Sequence, residues 1–182
     1  VADGSFNNDI EALNVLRKFL SFLPSSNEHK YIKRKTDDPK KRISLALDTL
    51  IPENPNLPYD MKELIVSIAD EYDFFELQEN FAKNILIGFI RLDGQTIGVV
   101  ANQPMVLAGC LDNDSSRKAA RFVRFCDAFN IPILTLVDVP GFMPGTAQEY
   151  GGIIKHGAKL LFAYAEATTP KVTLITLSLI HI

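Results

Sequence analysis

Glycines and prolines crowd one short stretch of the chain in a pattern that brings backbone N–H groups to a surface. The stretch contains Pro140, Gly141, Pro144, Gly145, Gly151 and Gly152. An apolar run over 132–137 precedes it and an amphipathic run to residue 167 follows, which predicts a strand, a turn and a helix that opens on two glycines. Glycine lets a ligand approach the main chain, and helix N-termini attract anionic oxygen. We therefore expect a binding site that does electrostatic chemistry with its backbone, rather than a merely sharp turn.

Four side chains near this turn could add acid–base chemistry: Asp138, Glu149, Tyr150 and His156. Glu149 and His156 are seven residues apart, which predicts that they lie on one helical face two turns apart. General acid–base catalysis is one interpretation. The alternative is that Glu149 interacts with its own helix N-terminus and His156 is an ordinary packed or surface residue. For each residue alone, the second interpretation is favoured.

Other classes of site and partner find little support in the residues. The three histidines are scattered, no Cys or His pair has ligand spacing, and we expect no metal in this chain. The net charge of −3 gives no case for nucleic acid or an acidic membrane, and no apolar run is long enough to span a bilayer. Cys110 and Cys126 lie in apolar runs, so we interpret them as reduced core residues of an intracellular protein.

Two basic patterns are open to a phosphate-binding interpretation. One is a stripe of Arg117, Arg121 and Arg124 on a predicted helix, and the other is a run of lysines and arginines within 30–42. In both cases solvated surface charge is the favoured interpretation.

The elements that must position the turn can be read from hydrophobic periodicity. Residues 8–24 form an amphipathic helix with Ile10, Leu13, Leu16, Leu20 and Leu23 on one face, stopped by a proline. A linker over 25–59 follows, within which residues 46–51 could dock. A helix capped by an Asp60–Glu63 capping box begins the next region.

Strands and a further helix fill the rest of the chain. A short strand is predicted near 74–77, and strands 84–91 and 96–101 are joined by an Asp-Gly hairpin turn. The helix 117–129 follows, preceded by a cap over 113–116, and strands 132–137 and 171–176 flank the turn and its helix. This order is that of an α/β fold.

Four segments carry a resemblance to a known family: 83–89, 98–104, 120–134 and 137–161. They resemble the carboxyltransferase β subunits of propionyl-CoA carboxylases, within the biotin-dependent acyl-CoA carboxyltransferases. The most specific motif is Pro-Gly-Phe-Met-Pro-Gly-Thr-Ala-Gln-Glu-Tyr-Gly-Gly over 140–152, which is nearer the propionyl-CoA and methylmalonyl-CoA members than the methylcrotonyl-CoA ones.

The resemblance implies a partial crotonase-like fold, a spiral of strand–strand–helix units of the ClpP/crotonase type. It assigns residues 1–24 to the last helix of an N-terminal carboxyltransferase domain. It assigns 25–59 to a linker and 60–176 to the first part of the C-terminal carboxyltransferase domain.

The resemblance also implies an activity, in which a carboxyl group moves from carboxybiotin to a short-chain acyl-CoA, most specifically propionyl-CoA. The implied partners are the acyl-CoA, a biotin carboxylase and biotin carrier α subunit, and other copies of the chain in a hexamer. Biotin is the implied cofactor, carried by the partner, with no metal in this subunit. The implied compartment is the bacterial cytoplasm or the mitochondrial matrix.

The matching positions assign site residues by resemblance alone. Biotin-facing residues would be Pro140, Gly141, Phe142, Gly145, Gln148, Glu149, Gly151 and Gly152. Substrate-binding residues would be Lys83, Asn84, Asn102, Gln103 and Pro104. The family's oxyanion holes are formed by backbone N–H groups in segments this chain lacks, so no catalytic residue is assigned and the chain alone is expected to be inactive.

Alternatives remain within and outside the family. An acyl-CoA decarboxylase subunit or an acetyl-CoA carboxylase type of activity would share these motifs, and a non-catalytic assembly scaffold would keep the fold. Residues 177–182 depart from the family's Arg-Lys-Ala-Tyr-Gly-Gly-Ala and match a translated sequencing adapter, so we expect a non-native tail there. A real apolar strand is the alternative.

Overall fold

Five strands form one sheet in the computed structural model, which describes residues 2–29, 33–52, 54 and 57–178. The strands are β1 (Phe75–Leu77), β2 (Ile85–Leu92), β3 (Gln95–Asn102), β4 (Ile133–Val139) and β5 (Lys171–Ser178), and they neighbour one another in that order. β1, β2 and β3 pair antiparallel, whereas β3, β4 and β5 pair parallel. The predicted order of strands along the chain is confirmed, and so is the hairpin, where Asp93 and Gly94 both have the positive φ that a tight β-hairpin turn needs.

The described residues also form six α-helices, five of which pack on the two faces of this sheet. They are α1 (Asp9–Leu20), α2 (Leu47–Leu50), α3 (Met61–Ile68), α4 (Asn113–Ala128), α5 (Thr146–Tyr150) and α6 (Ile153–Glu166). Helices α4 and α6 pack on one face together with the end of α1, while α2 and α3 pack on the other.

Strand β2 shows why the sheet is covered on both sides. Ile85, Ile87 and Phe89 point to the α4 face, and Leu86 and Ile90 point to the α3 face. All five are 3 % exposed or less, and each buried side chain contributes about 1.5–3 kcal/mol by leaving water. A strand that is apolar at consecutive positions therefore needs a helix layer on each side.

The first helix docks on the sheet through aromatic residues at its C-terminal end and just beyond it. Phe22 is 1 % exposed and stacks on Phe89 with ring centroids 5.7 Å apart. The Arg91 guanidinium lies 3.9 Å above the Phe22 ring and donates to the Ser21 carbonyl at 3.1 Å. Phe19 packs against the same cluster.

The prediction for this helix was wrong about its end, because the helix stops at Leu20 rather than at Pro24. Four of the five residues of the predicted apolar face, Ile10, Leu13, Leu16 and Leu20, are between 49 and 75 % exposed. Phe19 and Phe22, rather than that face, attach this part of the chain to the sheet.

The segment predicted as a linker lies along the body of the sheet. The Arg34 N–H donates to the Gly94 carbonyl at 3.0 Å, and the Lys40 ammonium lies 2.9 Å from the Asp93 carboxylate, which Lys33 also contacts. These exposed ion pairs agree with surface charge rather than a phosphate site. Lys30 lies outside the described residues.

The docking element expected within 46–51 is confirmed as helix α2. Its Leu47 and Leu50 pack on the cluster formed by α3. Helix α3 is capped by Asp60, whose carboxylate accepts from Lys62 N at 2.9 Å, but the predicted reciprocal bond from Glu63 does not form. The reciprocal capping box is instead at Asp112 and Ser115, where α4 begins.

A buried lysine that sequence reasoning missed ties α4 to the loop before β2. Lys118 is 2 % exposed, and its ammonium donates to four backbone carbonyls, those of Gln78, Phe81, Ala82 and Ile85, at 2.7 to 3.3 Å. Burial lowers the pKa of Lys118 to about 8, while the carbonyl dipoles favour the charged form. The sequence did indicate that Lys118 could be buried, because it lies four residues before Phe122 and therefore on the apolar face of α4.

We expect Lys118→Met to lower the free energy of unfolding by about 2–3 kcal/mol, because four carbonyls lose a charged donor in a site closed to water. Urea denaturation followed by circular dichroism measures this. Lys159→Met, an exposed position on α6, is the matched control and should change stability by less than about 0.5 kcal/mol. Equal effects of the two substitutions would contradict the prediction.

Candidate functional site

The carboxyl ends of the three parallel strands bring both predicted sets of site residues to one edge of the sheet. Strands β3, β4 and β5 end there at Asn102, Val139 and Ser178. Strand β2 runs the other way, and Ile85 is paired with Asn102, so Lys83 and Asn84 enter the sheet at the same edge. In α/β proteins, ligands commonly bind at the edge where the backbone leaves the carboxyl ends of the parallel strands.

The Gly/Pro turn crosses this edge and is held by main-chain bonds to the loop before α4. Leu111 N donates to the Gly141 carbonyl at 3.0 Å, and Met143 N donates to the Leu111 carbonyl at 2.7 Å. Gly141 and Gly145 have φ of 147° and 122°, and a Cβ on either would meet no other atom within 4 Å. These two glycines are therefore demanded by backbone conformation, and they leave open space beside the main chain.

A break between two helices corrects the predicted relation of Glu149 to His156. Glu149 lies on α5, and His156 lies on α6, with Gly151 and Gly152 between them. Gly152 has a φ of 88°, which ends one helix axis and starts another, so the two side chains do not share a helical face and form no bond with each other. The prediction that the long helix opens on glycine is confirmed, since Gly152 is the N-cap of α6.

The four titratable side chains around the turn have separate surroundings. Glu149 is exposed, and Tyr150 is 93 % exposed. His156 is half-buried; burial and the nearby Lys159, Arg117 and Lys155 lower its pKa, and its Nδ1 has no partner among the described residues. Asp138 is buried beneath the turn. The structure therefore gives no acid–base pair here.

Gln148, predicted to face biotin, holds the start of α4. Its Oε1 accepts from Asn113 N at 3.0 Å, and its carbonyl accepts from Asn113 Nδ2 at 3.1 Å. A side-chain oxygen that receives a first-turn N–H does the work of a helix cap from a distant part of the chain. Gln148 thus fixes α5 against α4.

Three of the predicted substrate-binding residues are amides whose side chains point into the protein. Asn84 donates to the Cys110 carbonyl at 2.8 Å, and Asn102 donates to the Gly109 carbonyl at 3.0 Å. Gln103 donates to the Asp60 carboxylate at 2.7 Å. Their exposed fractions are 7 % or less, so these amides shape the edge from within.

The remaining predicted residues differ in how far their side chains are exposed to solvent. Lys83 is exposed, and Pro104 and Pro140 are half-buried. Phe142 is 49 % exposed, and its ring lies against α6 at Gly157, where an added Cβ would come within 2.9 Å of the ring. The arginine stripe on α4 is exposed and ion-paired with carboxylates of Asp114, Asp3 and Glu166.

A buried group at the end of β4 involves a residue that sequence reasoning missed. Tyr59 is 7 % exposed, and its hydroxyl lies 2.8 Å from Thr176 Oγ1. Burial raises the pKa of Tyr59 and that of Asp138 nearby. A lone tyrosine between Pro58 and Asp60 gave no periodic signal that could have placed it here.

The arrangement offers an open backbone surface and an uncapped helix start. No side chain caps the first N–H groups of α6. Such groups, with the exposed main chain at Gly141 and Gly145, can stabilise negative charge on a bound oxygen without a titratable side chain. Among the described residues no group of three His, Cys, Asp or Glu side chains converges to hold a metal, and no helix is long and apolar enough to cross a membrane.

Comparison with known proteins gives consistent matches over nearly the whole chain. The family model described as "Carboxyl transferase domain" matches residues 1–180. The propionyl-CoA carboxylase beta chain of Cereibacter sphaeroides is 73 % identical over 97 % of this chain. The methylmalonyl-CoA decarboxylase subunit alpha of Veillonella parvula is 51 % identical over the same share. The chain spans about a third of the length of these relatives, 34 % and 35 %.

A solved structure agrees with the sequence matches. The transcarboxylase 12S crystal structure, a hexamer with hydrolysed methylmalonyl-coenzyme A bound, superposes with a TM-score of 0.90 at 45 % identity. The superposition covers 93 % of this chain and 33 % of that one.

We expect Gln148→Leu to destabilise the chain by about 1 kcal/mol, because the first N–H of α4 loses its acceptor. Gln148→Glu keeps an acceptor and adds negative charge at the helix start, so it should restore stability or exceed it. Urea unfolding midpoints compare the two variants. Equal losses in both would show that the contact between Gln148 and Asn113 does not hold α5.

Asp138→Asn should flatten the dependence of stability on pH. A carboxyl whose pKa is raised on folding binds more protons in the folded state, so its contribution to stability falls as pH rises from 3.8 through the raised pKa. The variant should therefore gain stability relative to the parent at pH 7 but not at pH 3.5. Urea titrations across this range measure it, with exposed Asp37→Asn as control; a parallel shift at all pH values would contradict the prediction.

Proposed function

Because this chain belongs to the carboxyl transferase domain family, we propose that it is part of a biotin-dependent carboxyltransferase acting on a short-chain acyl-CoA. The observation that carries the proposal is 73 % identity to a propionyl-CoA carboxylase beta chain over 97 % of this chain. The proposed reaction transfers a carboxyl group from carboxybiotin to the α-carbon of propionyl-CoA, giving methylmalonyl-CoA.

The fold is the α/β, crotonase-like fold expected from the sequence, shared with the transcarboxylase 12S structure. Within it, the turn over 140–152 is proposed as one wall of the biotin pocket. Biotin would supply the transferable carboxyl group, carried on a partner protein. The open space beside Gly141 and Gly145 fits the approach of a flat ring to the main chain.

Each part of the turn has a proposed task in that wall. The exposed rings of Phe142 and Tyr150 would contact the apolar edge of the ligand, and the α6 N-terminus would favour anionic oxygen. Gln148 would act by holding α5 in place rather than by touching the ligand. Glu149, Gly151 and Pro140 complete the proposed wall through backbone and exposed polar surface.

The second proposed set acts mainly through scaffold and backbone. Asn84, Asn102 and Gln103 use their side chains internally, so any contact with acyl-CoA would come from their main chain or from exposed Lys83 and Pro104. This arrangement supports catalysis by oriented backbone dipoles, in which each oxyanion-hole donor contributes roughly 3–4 kcal/mol to transition-state stabilisation.

The proposed partners follow from the same relatives. The 12S relative is described as a hexamer that forms a multienzyme core, and we propose a hexamer with a biotin carboxylase and biotin carrier subunit for this protein. The relatives include mitochondrial and bacterial beta chains, and we propose the mitochondrial matrix or the bacterial cytoplasm as its location.

A second candidate is a methylmalonyl-CoA decarboxylase subunit, which runs the carboxyl transfer in reverse. The 51 % identity to such a subunit over 97 % of this chain favours it as the alternative. The two candidates share the site and differ in the direction of transfer and in the subunits that accompany it.

The direct test uses the complete polypeptide that contains this chain, assayed for carboxyl transfer from free carboxybiotin to acyl-CoA and, in the other direction, from methylmalonyl-CoA to free biotin. Propionyl-CoA should be carboxylated with a kcat/KM well above that for acetyl-CoA. Absence of transfer with propionyl-CoA and methylmalonyl-CoA alike would overturn the proposed function. Transfer only from methylmalonyl-CoA, with coupling to a decarboxylase partner, would favour the second candidate.

Within that assay, Tyr150→Ala should raise the KM for biotin about 2–10-fold, the range expected for loss of one aromatic contact. Tyr150 is 93 % exposed, so its removal takes little packing from the fold. Phe162→Ala, 61 % exposed on the far part of α6, is the matched control and should leave both KM values unchanged. An unchanged KM for biotin in Tyr150→Ala would remove Tyr150 from the pocket wall.

A further inference from the structure

The parallel pairing of β4 with β5 contains one irregularity, and it lies at the carboxyl edge. Val137 is paired with Ile175, and the next pair is Asp138 with Leu177. Thr176 is therefore an extra residue on β5 with no partner position on β4. Such a bulge re-aims the strand that carries it and is common beside active sites.

Hydroxyl groups take the place of the ladder bond lost at this bulge. Thr176 Oγ1 donates to the Val137 carbonyl at 3.0 Å. The Tyr59 hydroxyl lies 2.8 Å from Thr176 Oγ1, and because the Thr176 proton goes to Val137, the Tyr59 hydroxyl is the donor of that bond. Tyr59 is 7 % exposed and Thr176 is half-buried, so water has only partial access to these bonds.

The chain of bonds joins three separate parts of the molecule. Tyr59 comes from the segment just before α3, Val137 from the end of β4 and Thr176 from the end of β5. The turn over 140–145 begins two residues after Asp138. A fixed Tyr59 hydroxyl therefore determines how the main chains of β4 and β5 leave the sheet, at the edge where the pocket is proposed.

We propose that Tyr59 is a positioning residue for the biotin pocket, acting through Thr176 and the end of β4 rather than by touching a ligand; this rests on the proposed function. Losing the hydroxyl frees the bulge, so the turn over 140–145 and the end of β5 adopt a wider range of positions. Binding and turnover of biotin then suffer, whereas binding of acyl-CoA does not.

The chain supplies a matched control for this test. Tyr164 on α6 makes the same kind of bond, with its hydroxyl 2.8 Å from Thr135 Oγ1. Thr135 lies within regular pairing of β4, before the bulge. Tyr164→Phe thus removes an equivalent tyrosine hydroxyl, one that bonds a threonine of β4 away from the bulge.

The experiment compares Tyr59→Phe, Thr176→Val, Thr176→Ser and Tyr164→Phe in the complete polypeptide. Hydrogen exchange of residues 138–145 and the kinetics with free biotin and acyl-CoA are both measured. Exchange in that segment should rise in Tyr59→Phe and Thr176→Val, with kcat/KM for biotin falling roughly 10-fold or more and the KM for acyl-CoA unchanged. Thr176→Ser, which keeps the hydroxyl, and Tyr164→Phe should resemble the parent.

The double variant Tyr59→Phe with Thr176→Val should be no worse than the poorer single variant, since both remove one network. Unchanged exchange in 138–145 for Tyr59→Phe would overturn the proposal. So would an equal rise of exchange throughout the sheet, or an equal effect of Tyr164→Phe. Hydrogen exchange tests the positioning role even if no carboxyl transfer is detected. Absence of carboxyl transfer would overturn the proposed function but not the positioning role.

Discussion

Three parallel strands end at one edge of the sheet, and each backbone group that leaves the ladder there needs a new hydrogen-bond partner because the interior offers little water. Strands β3, β4 and β5 meet this constraint with polar side chains, of which Asn102 is buried and Thr176 is half-buried. Asn102 Oδ1 accepts from Asp138 N at 3.3 Å, and Thr176 Oγ1 donates to the Val137 carbonyl. The position of the Gly/Pro turn depends on these bonds, since the turn begins where β4 ends.

The same constraint explains why the edge is rich in amides yet has no catalytic pair. Asn84, Asn102 and Gln103 each bridge the end of a strand to a loop or a helix start. Gln148 does so between α5 and α4. With side chains occupied in this way, the surface left for a ligand is mainly main chain at glycine. Oriented N–H groups at such a surface can stabilise an oxyanion without a change in protonation.

Much of the fold was predictable because periodicity reports which face of an element is buried. The strands, the hairpin at Asp93 and Gly94, the docking of α2 and the glycine start of α6 all followed from local pattern. The break between α5 and α6 was missed because two consecutive glycines are compatible with a helix start or a helix end. The contact of α1 with this sheet was not predicted, because it is made through Phe19 and Phe22 and only the partner surface shows which side of the helix packs on it.

The sequence by itself determined the order of elements, the open turn of Pro140 to Gly152 and the family, because motif and periodicity are local properties of the chain. The tertiary structure alone decided that Tyr59, Asp138 and Thr176 meet beneath that turn and that Lys118 is enclosed by four carbonyls. Those contacts join residues 33 to 117 positions apart. Their partners are fixed by where strands and helices cross in space, and no short-range pattern encodes that crossing.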